Sequence, residues 1–159
     1  MRLGISLPSD SFPLQRTCLE SAGYGRLIAS ELDLGPIWLK RDDDPKEMKR
    51  RFTNTTVRNA IAADDDALAT IYQDLYERTI DFGAHPNEKG VLTNVIKESV
   101  GTKILQFYML AGDGPPLQYA LRACAQIGIC SLRIFNLVFN EQFEKHDFTH
   151  RIGLVSKPF

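Results

Sequence analysis

Two residues in this chain have the types and the spacing for acid–base chemistry on a phosphodiester. In ERTIDFGAHPNEKG, residues 77–90, Arg78 and His85 stand seven positions apart at what reads as the end of a helix. A rise of about 1.5 Å per residue puts their Cα atoms roughly 10 Å apart along one face, a gap that a long arginine side chain can span. The negative end of the helix dipole favours a protonated imidazole at position 85. An imidazolium beside a guanidinium can cleave RNA without a metal. The ribose hydroxyl attacks the adjacent phosphate, the arginine stabilises charge on the phosphoryl oxygens, and the histidine moves protons. Asp81, on the same face, is the residue placed to orient them. The same positions also read as an ordinary exposed ladder of Asp74, Arg78 and Asp81, ending on a histidine that caps the last carbonyls. That plainer reading leads, and the residues alone do not decide whether the chain is an enzyme.

The R-x6-H spacing at a helix end resembles the R-x4-6-H motif of HEPN domains. Many of these are metal-independent ribonucleases of toxin–antitoxin, abortive-infection and CRISPR systems. The resemblance implies a catalytic pair at Arg78 and His85, no cofactor, RNA as substrate, and a homodimer in which two copies of the motif meet. A broader resemblance is carried by RTCLESA, WLKRDDDP, DFGAHPN and a long amphipathic helix near the end of the chain. It is to a group of uncharacterised bacterial helical domains, and it implies a fold without a reaction.

Other clusters offer less. In EQFEKHDFTHR, Glu141, His146 and His150 have partial metal-ligand spacing, because His-x3-His sets two imidazoles on one helical face. No third ligand is fixed by spacing, so a solvated helix end is the better reading and no metal is expected. Lys40, Arg41, Lys46, Lys49, Arg50, Arg51 and Arg58 could follow a phosphate backbone, but Asp42–Asp44 and Glu47 are interleaved with them. There is no phosphate-binding G-x-x-x-x-G-K-[ST] loop and no G-x-S-x-G elbow. Cys18, Cys124 and Cys130 lack the spacing of a disulfide framework or a zinc site, which points to a reducing cytoplasm.

The elements that must position these residues follow from composition and period. A chain of 159 residues, 43% hydrophobic and 25% charged, suits a single domain, 1–159, with its own core. A net charge of −1 provides no global field for DNA or an acidic membrane. The opening MRLGISLPSD lacks the apolar stretch of a signal peptide. The run 119–139 has the length of a membrane span, yet it contains Arg122, Gln126 and Arg133 and reads as a core helix.

Ser11 and Pro13 open a first helix, which Gly35 and Pro36 oppose continuing. Asp44, Pro45 and Glu47 have the spacing of a capping box opening a second helix over 45–62. Leu68, Ile71, Tyr72, Leu75 and Phe82 mark the apolar face of a third. A fourth is expected over 117–145, with Arg122, Gln126, Arg133, Asn136 and Asn140 on one side as a surface stripe or a polar groove. Residues 91–110 are rich in β-branched and aromatic side chains and predict a hairpin insertion turning near Gly101, although Leu92, Val95, Ile96 and Val100 also fit a helix. The expectation is a mainly α bundle of about four principal helices with one small β-hairpin. Its leading function is association, as a homodimer or with a protein partner, and RNA cleavage at Arg78 and His85 is the alternative.

Overall fold

The computed structural model describes residues 11–84, 95–100, 103–108 and 115–157. These are mainly helical: α1 (Ser11–Ser30), α2 (Leu34–Leu39), α3 (Pro45–Arg51), α4 (Asn54–Ala62), α5 (Asp66–Thr79), α6 (Pro115–Val138), α7 (Asn140–Lys145) and α8 (Phe148–Ser156). A π turn, Ile80–Ala84, prolongs α5. Strands β1 (Val95–Val100) and β2 (Lys103–Tyr108) pair antiparallel, Val95 opposite Tyr108 and Val100 opposite Lys103.

Three long helices enclose the core. Leu19, Ala22 and Leu27 of α1, Tyr72 and Leu75 of α5, and Ile127 and Ile134 of α6 join Val57 and Ile61 of α4 in one buried cluster. Each large apolar side chain sequestered there contributes about 1.5–3 kcal/mol. Phe12 meets the Tyr119 ring at 6.3 Å, while farther along both helices Gly25 lies close to Phe135, so α1 and α6 run in the same direction. Helix α5 runs against both. Arg16 donates to the Tyr76 hydroxyl at 2.8 Å and Arg26 pairs with Asp64 at the far end, while Phe82 and Asp65 mark the same reversal against Tyr119 and Arg133. Where α1 crosses α4 and α5, Gly23 is required. A Cβ at this position would collide with Val57 Cγ1 and press on the Tyr72 ring at 3.4 Å.

Several boundaries differ from the sequence reading. The single helix expected over 45–62 is two, because Phe52 turns inward to 6% exposure and packs edge-on against Tyr24 at 5.2 Å. Thr53 then opens α4 with a reciprocal box. Its hydroxyl accepts from the Thr56 N–H at 3.1 Å, and the Thr56 hydroxyl accepts from the Thr53 N–H at 3.0 Å. At the start of α3 only half of the expected box forms. Asp44 accepts from the Glu47 N–H at 3.0 Å, but the Glu47 carboxylate is held by Arg50 at 2.5 and 2.7 Å.

Gly35 and Pro36 do not stop a helix; they lie in the first turn of α2, where a missing N–H is tolerated. The helix expected over 117–145 ends at Val138. Beyond it α7 and α8 are separated by Asp147, whose φ of 56° is left-handed. Gly101, the expected turn position, and His85 lie outside the described residues.

Gly23→Ala is expected to destabilise the fold by about 1–3 kcal/mol through overpacking. Thr53→Ala, which removes a cap, should cost about 1 kcal/mol. Denaturant unfolding measures both, and a Gly23→Ala protein as stable as the parent would show that α1 and α4 do not approach closely.

Candidate functional site: a groove along α5 and α6

Arg78 projects from the last turn of α5 and pairs with Asp74 one turn earlier, at 2.7 Å. The expected ladder of charge is therefore present at this step. The pair also stands at the edge of a groove, Arg78 partly buried and Asp74 exposed, and both share a cavity of about 260 Å³ with Gln126 and Arg133 of α6. Leu68, Ile71, Leu75, Ile129 and Cys130 give this cavity a mostly apolar floor. Asp81 follows in the π turn and does not line the cavity. The structure brings Arg78 together with Arg133, a residue that the sequence reading placed only on a polar stripe. Its signal was there, because Gln126, Arg133 and Asn136 recur at helical spacing on α6.

Beyond Arg133 the groove continues into a second cavity of about 350 Å³, bordered by Asp65, Asn136, Thr149 and Gly153. Leu68, Arg133 and Ser156 line both cavities. Asp65 caps α5, with Oδ1 accepting from the Leu68 N–H at 2.8 Å. Its Oδ2 stands 3.6 Å from the Arg133 guanidinium, an ion pair too long for a hydrogen bond. Asn136 Oδ1 is buried without a hydrogen-bond partner. Burial pushes the Cys130 thiol up to about 12, with Arg133 opposing the shift. The thiol is neutral and is not a nucleophile at ordinary pH.

The opposite side of α6 is different in kind. Leu121, Ala125, Gly128, Leu132 and Phe139 recur at i, i+4, i+7, i+11 and i+18, which puts them on one stripe. Leu121 is 61% exposed, Leu132 44% and Phe139 51%. A Cβ on Gly128 would meet nothing within 4 Å. On the adjoining edge of α1, Leu14 is 74% exposed and Cys18 is exposed as well, its thiol 3.6 Å from the Ser131 hydroxyl of α6. Neither stripe carries a charge. The segment Leu117–Val138 has the length and hydropathy of a membrane span, at 1.3, with 28% of its most apolar window buried. The expectation of a core helix therefore describes one face of α6.

The remaining sequence candidates are dispersed. His146 ends α7 and its ring lies 5.8 Å from that of Phe148, while His150 is exposed on α8. Among the described residues no three His, Cys, Asp or Glu side chains are grouped to hold a metal. In the basic cluster Arg50 pairs with Glu47, Arg51 with Glu31 at 2.9 Å and, more loosely, Arg58 with Asp66 at 3.9 Å. Arg41 lies over the Trp38 ring at 4.8 Å. Much of that positive charge is locally matched.

Compared with protein-family models, curated proteins and solved structures, the chain matches none. What the fold and the site define is a mainly α helical bundle whose sixth helix has an apolar outer face and a charged groove on its other flank.

Cys130 also fixes an alkaline limit. Its folded value lies above the ordinary 9.0, so the neutral thiol is favoured by folding. The associated stability is complete below pH 9 and is lost as pH rises toward about 12. Burial raises Tyr72 from its ordinary 10.0 in the same direction. Melting temperatures should hold up to pH 9 and fall above it. In Cys130→Ala the fall should begin nearer 10, and an unchanged onset would remove Cys130 as its cause.

Proposed function

We propose that this protein acts in the cytoplasm by association with a second copy of itself through the uncharged face of α1 and α6. The observation that carries this reading is the small buried share of α6 together with the exposure of Leu14, Leu121, Leu132 and Phe139. Scattered single apolar residues on a surface need no explanation, but a contiguous stripe on two adjacent helices does. The face has no charge, so its partner needs an uncharged apolar face, which the same surface on a second copy provides. A standard interface takes about 20–30 residues a side, an extent that helices of 20 and 24 residues lying side by side can contribute to.

The stripe is self-complementary about its centre. In an antiparallel pairing about the level of residue 130, Leu132 of each copy falls opposite Gly128 of the other, bulk against hollow. In the same reading β1 and β2 form a small hairpin carried on the bundle. Light scattering coupled to size exclusion should give twice the mass of one chain. Leu121→Glu with Leu132→Glu should give a monomer of unchanged helicity. A wild-type monomer at every concentration, with no partner in pull-downs, counts against association.

A second reading, metal-independent RNA cleavage with Arg78 and His85 as the catalytic pair and Asp81 orienting them, is favoured by one observation. Arg78 lines a cavity faced by a second guanidinium, that of Arg133, so two cations from different helices face one space. Purified protein should then cut single-stranded RNA in EDTA, and His85→Ala and Arg78→Ala should each abolish cutting. Absence of cleavage, or cleavage unchanged in His85→Ala, removes this reading.

A further inference from the structure

The groove is electrically balanced. Asp74 and Arg78 mark one end, while Asp65 and Arg133 face each other farther along. A ligand with net negative charge would meet two carboxylates as well as two guanidinium groups, and a net cation would meet the reverse. A molecule carrying both signs is repelled by neither.

The two pairs are not equivalent. Arg78 and Asp74 are in direct contact at 2.7 Å. Arg133 and Asp65 stand 3.6 Å apart without a hydrogen bond, their side chains 41% and 33% exposed. The fork of Arg133 is therefore available to a carboxylate, which it can grip with two parallel bonds. Asp65 Oδ2, one oxygen of a carboxylate whose other oxygen already caps α5, is available to a donor. Asn136, one turn beyond Arg133, borders the same cavity with its Oδ1 turned inward and closed to solvent. Next to this polar end lies the apolar floor formed by Ile71, Leu75 and Ile129.

We infer that the α5–α6 groove binds a free α-amino acid with an apolar side chain. Its carboxylate sits on the Arg133 guanidinium, its ammonium is held by Asp65 Oδ2, and its side chain rests on the floor of the adjoining cavity. An acid and an amine carried on one carbon suit this spacing, because the two groups that receive them stand only 3.6 Å apart. The site is on the α5 flank of α6, away from the association face, and does not depend on dimer formation or on His85.

Calorimetric titration of the full chain decides this. L-Leucine should give saturable heat at millimolar concentration or below. Glycine, which lacks the apolar body, isocaproate, which lacks the ammonium, and isoamylamine, which lacks the carboxylate, should each bind at least about tenfold more weakly, a difference of about 1.4 kcal/mol. Arg133→Gln should abolish leucine binding, and Arg50→Gln, on exposed α3, should leave it unchanged. Asp65→Asn, which keeps a cap for α5 and removes the charge, should weaken it even if Arg133→Gln fails to fold. No saturable heat with leucine, equal binding by isocaproate, or full binding by a folded Arg133→Gln protein each overturns the assignment.

Discussion

The packing of α6 against α1 on one side and α5 on the other is the constraint from which both surfaces of interest follow. Ile127, Cys130 and Ile134 point into the angle between those neighbours and are almost fully buried. Neighbours on every side would have buried α6 all round, as in the core of a larger protein. α6 is not enclosed in this way: one flank is left as an uncharged stripe, and the other, with α5 and α8, walls a groove. The position of α6 in turn depends on α1, whose other side is drawn against α4 and α5 at the glycine next to Ala22. Tight fit on one side of α1 thus fixes what the far side can present.

Polar contacts reinforce this arrangement without causing it. Arg16 joins Glu20 on its own helix to the Tyr76 hydroxyl on α5, and its guanidinium also lies 4.9 Å from the Tyr76 ring centre. Burial raises the titration of Tyr24, Tyr72 and Tyr76 alike, so this corner of the bundle holds neutral phenols at ordinary pH. Ion pairs at partly exposed positions such as these contribute little singly, typically about 1 kcal/mol or less. The apolar cluster beneath them supplies most of the cohesion, and the pairs help fix the register of α1 on α5.

Much of the helical architecture was legible in the sequence because its signals are local. The apolar period of α5, the acidic residues at its start and the cap at Asp44 are each properties of a few neighbouring residues. The errors lie where a long-range contact decides. Nothing in the run 45–62 announces that Phe52 is needed inside against Tyr24, which breaks one expected helix into two. Glu47 had the spacing of a capping box and was claimed instead by Arg50. At the site, the i,i+4 pairing of Asp74 with Arg78 could be anticipated from one helix. Its meeting with Arg133 could not, because 55 positions of chain separate Arg78 from Arg133 and only the antiparallel packing of α5 on α6 joins them.

The left-handed residue between the last two helices has a consequence for which chains can keep the groove. Thr149, Ile152, Gly153 and Ser156 of α8 form its third wall, and α8 reaches that place only after the backbone reverses at Asp147. Among the described residues no other non-glycine adopts this conformation. Aspartate tolerates it better than most side chains, glycine and asparagine would suit it, and a β-branched residue would not. The α8 wall of the groove therefore hangs on a single torsion, at a position that touches neither cavity.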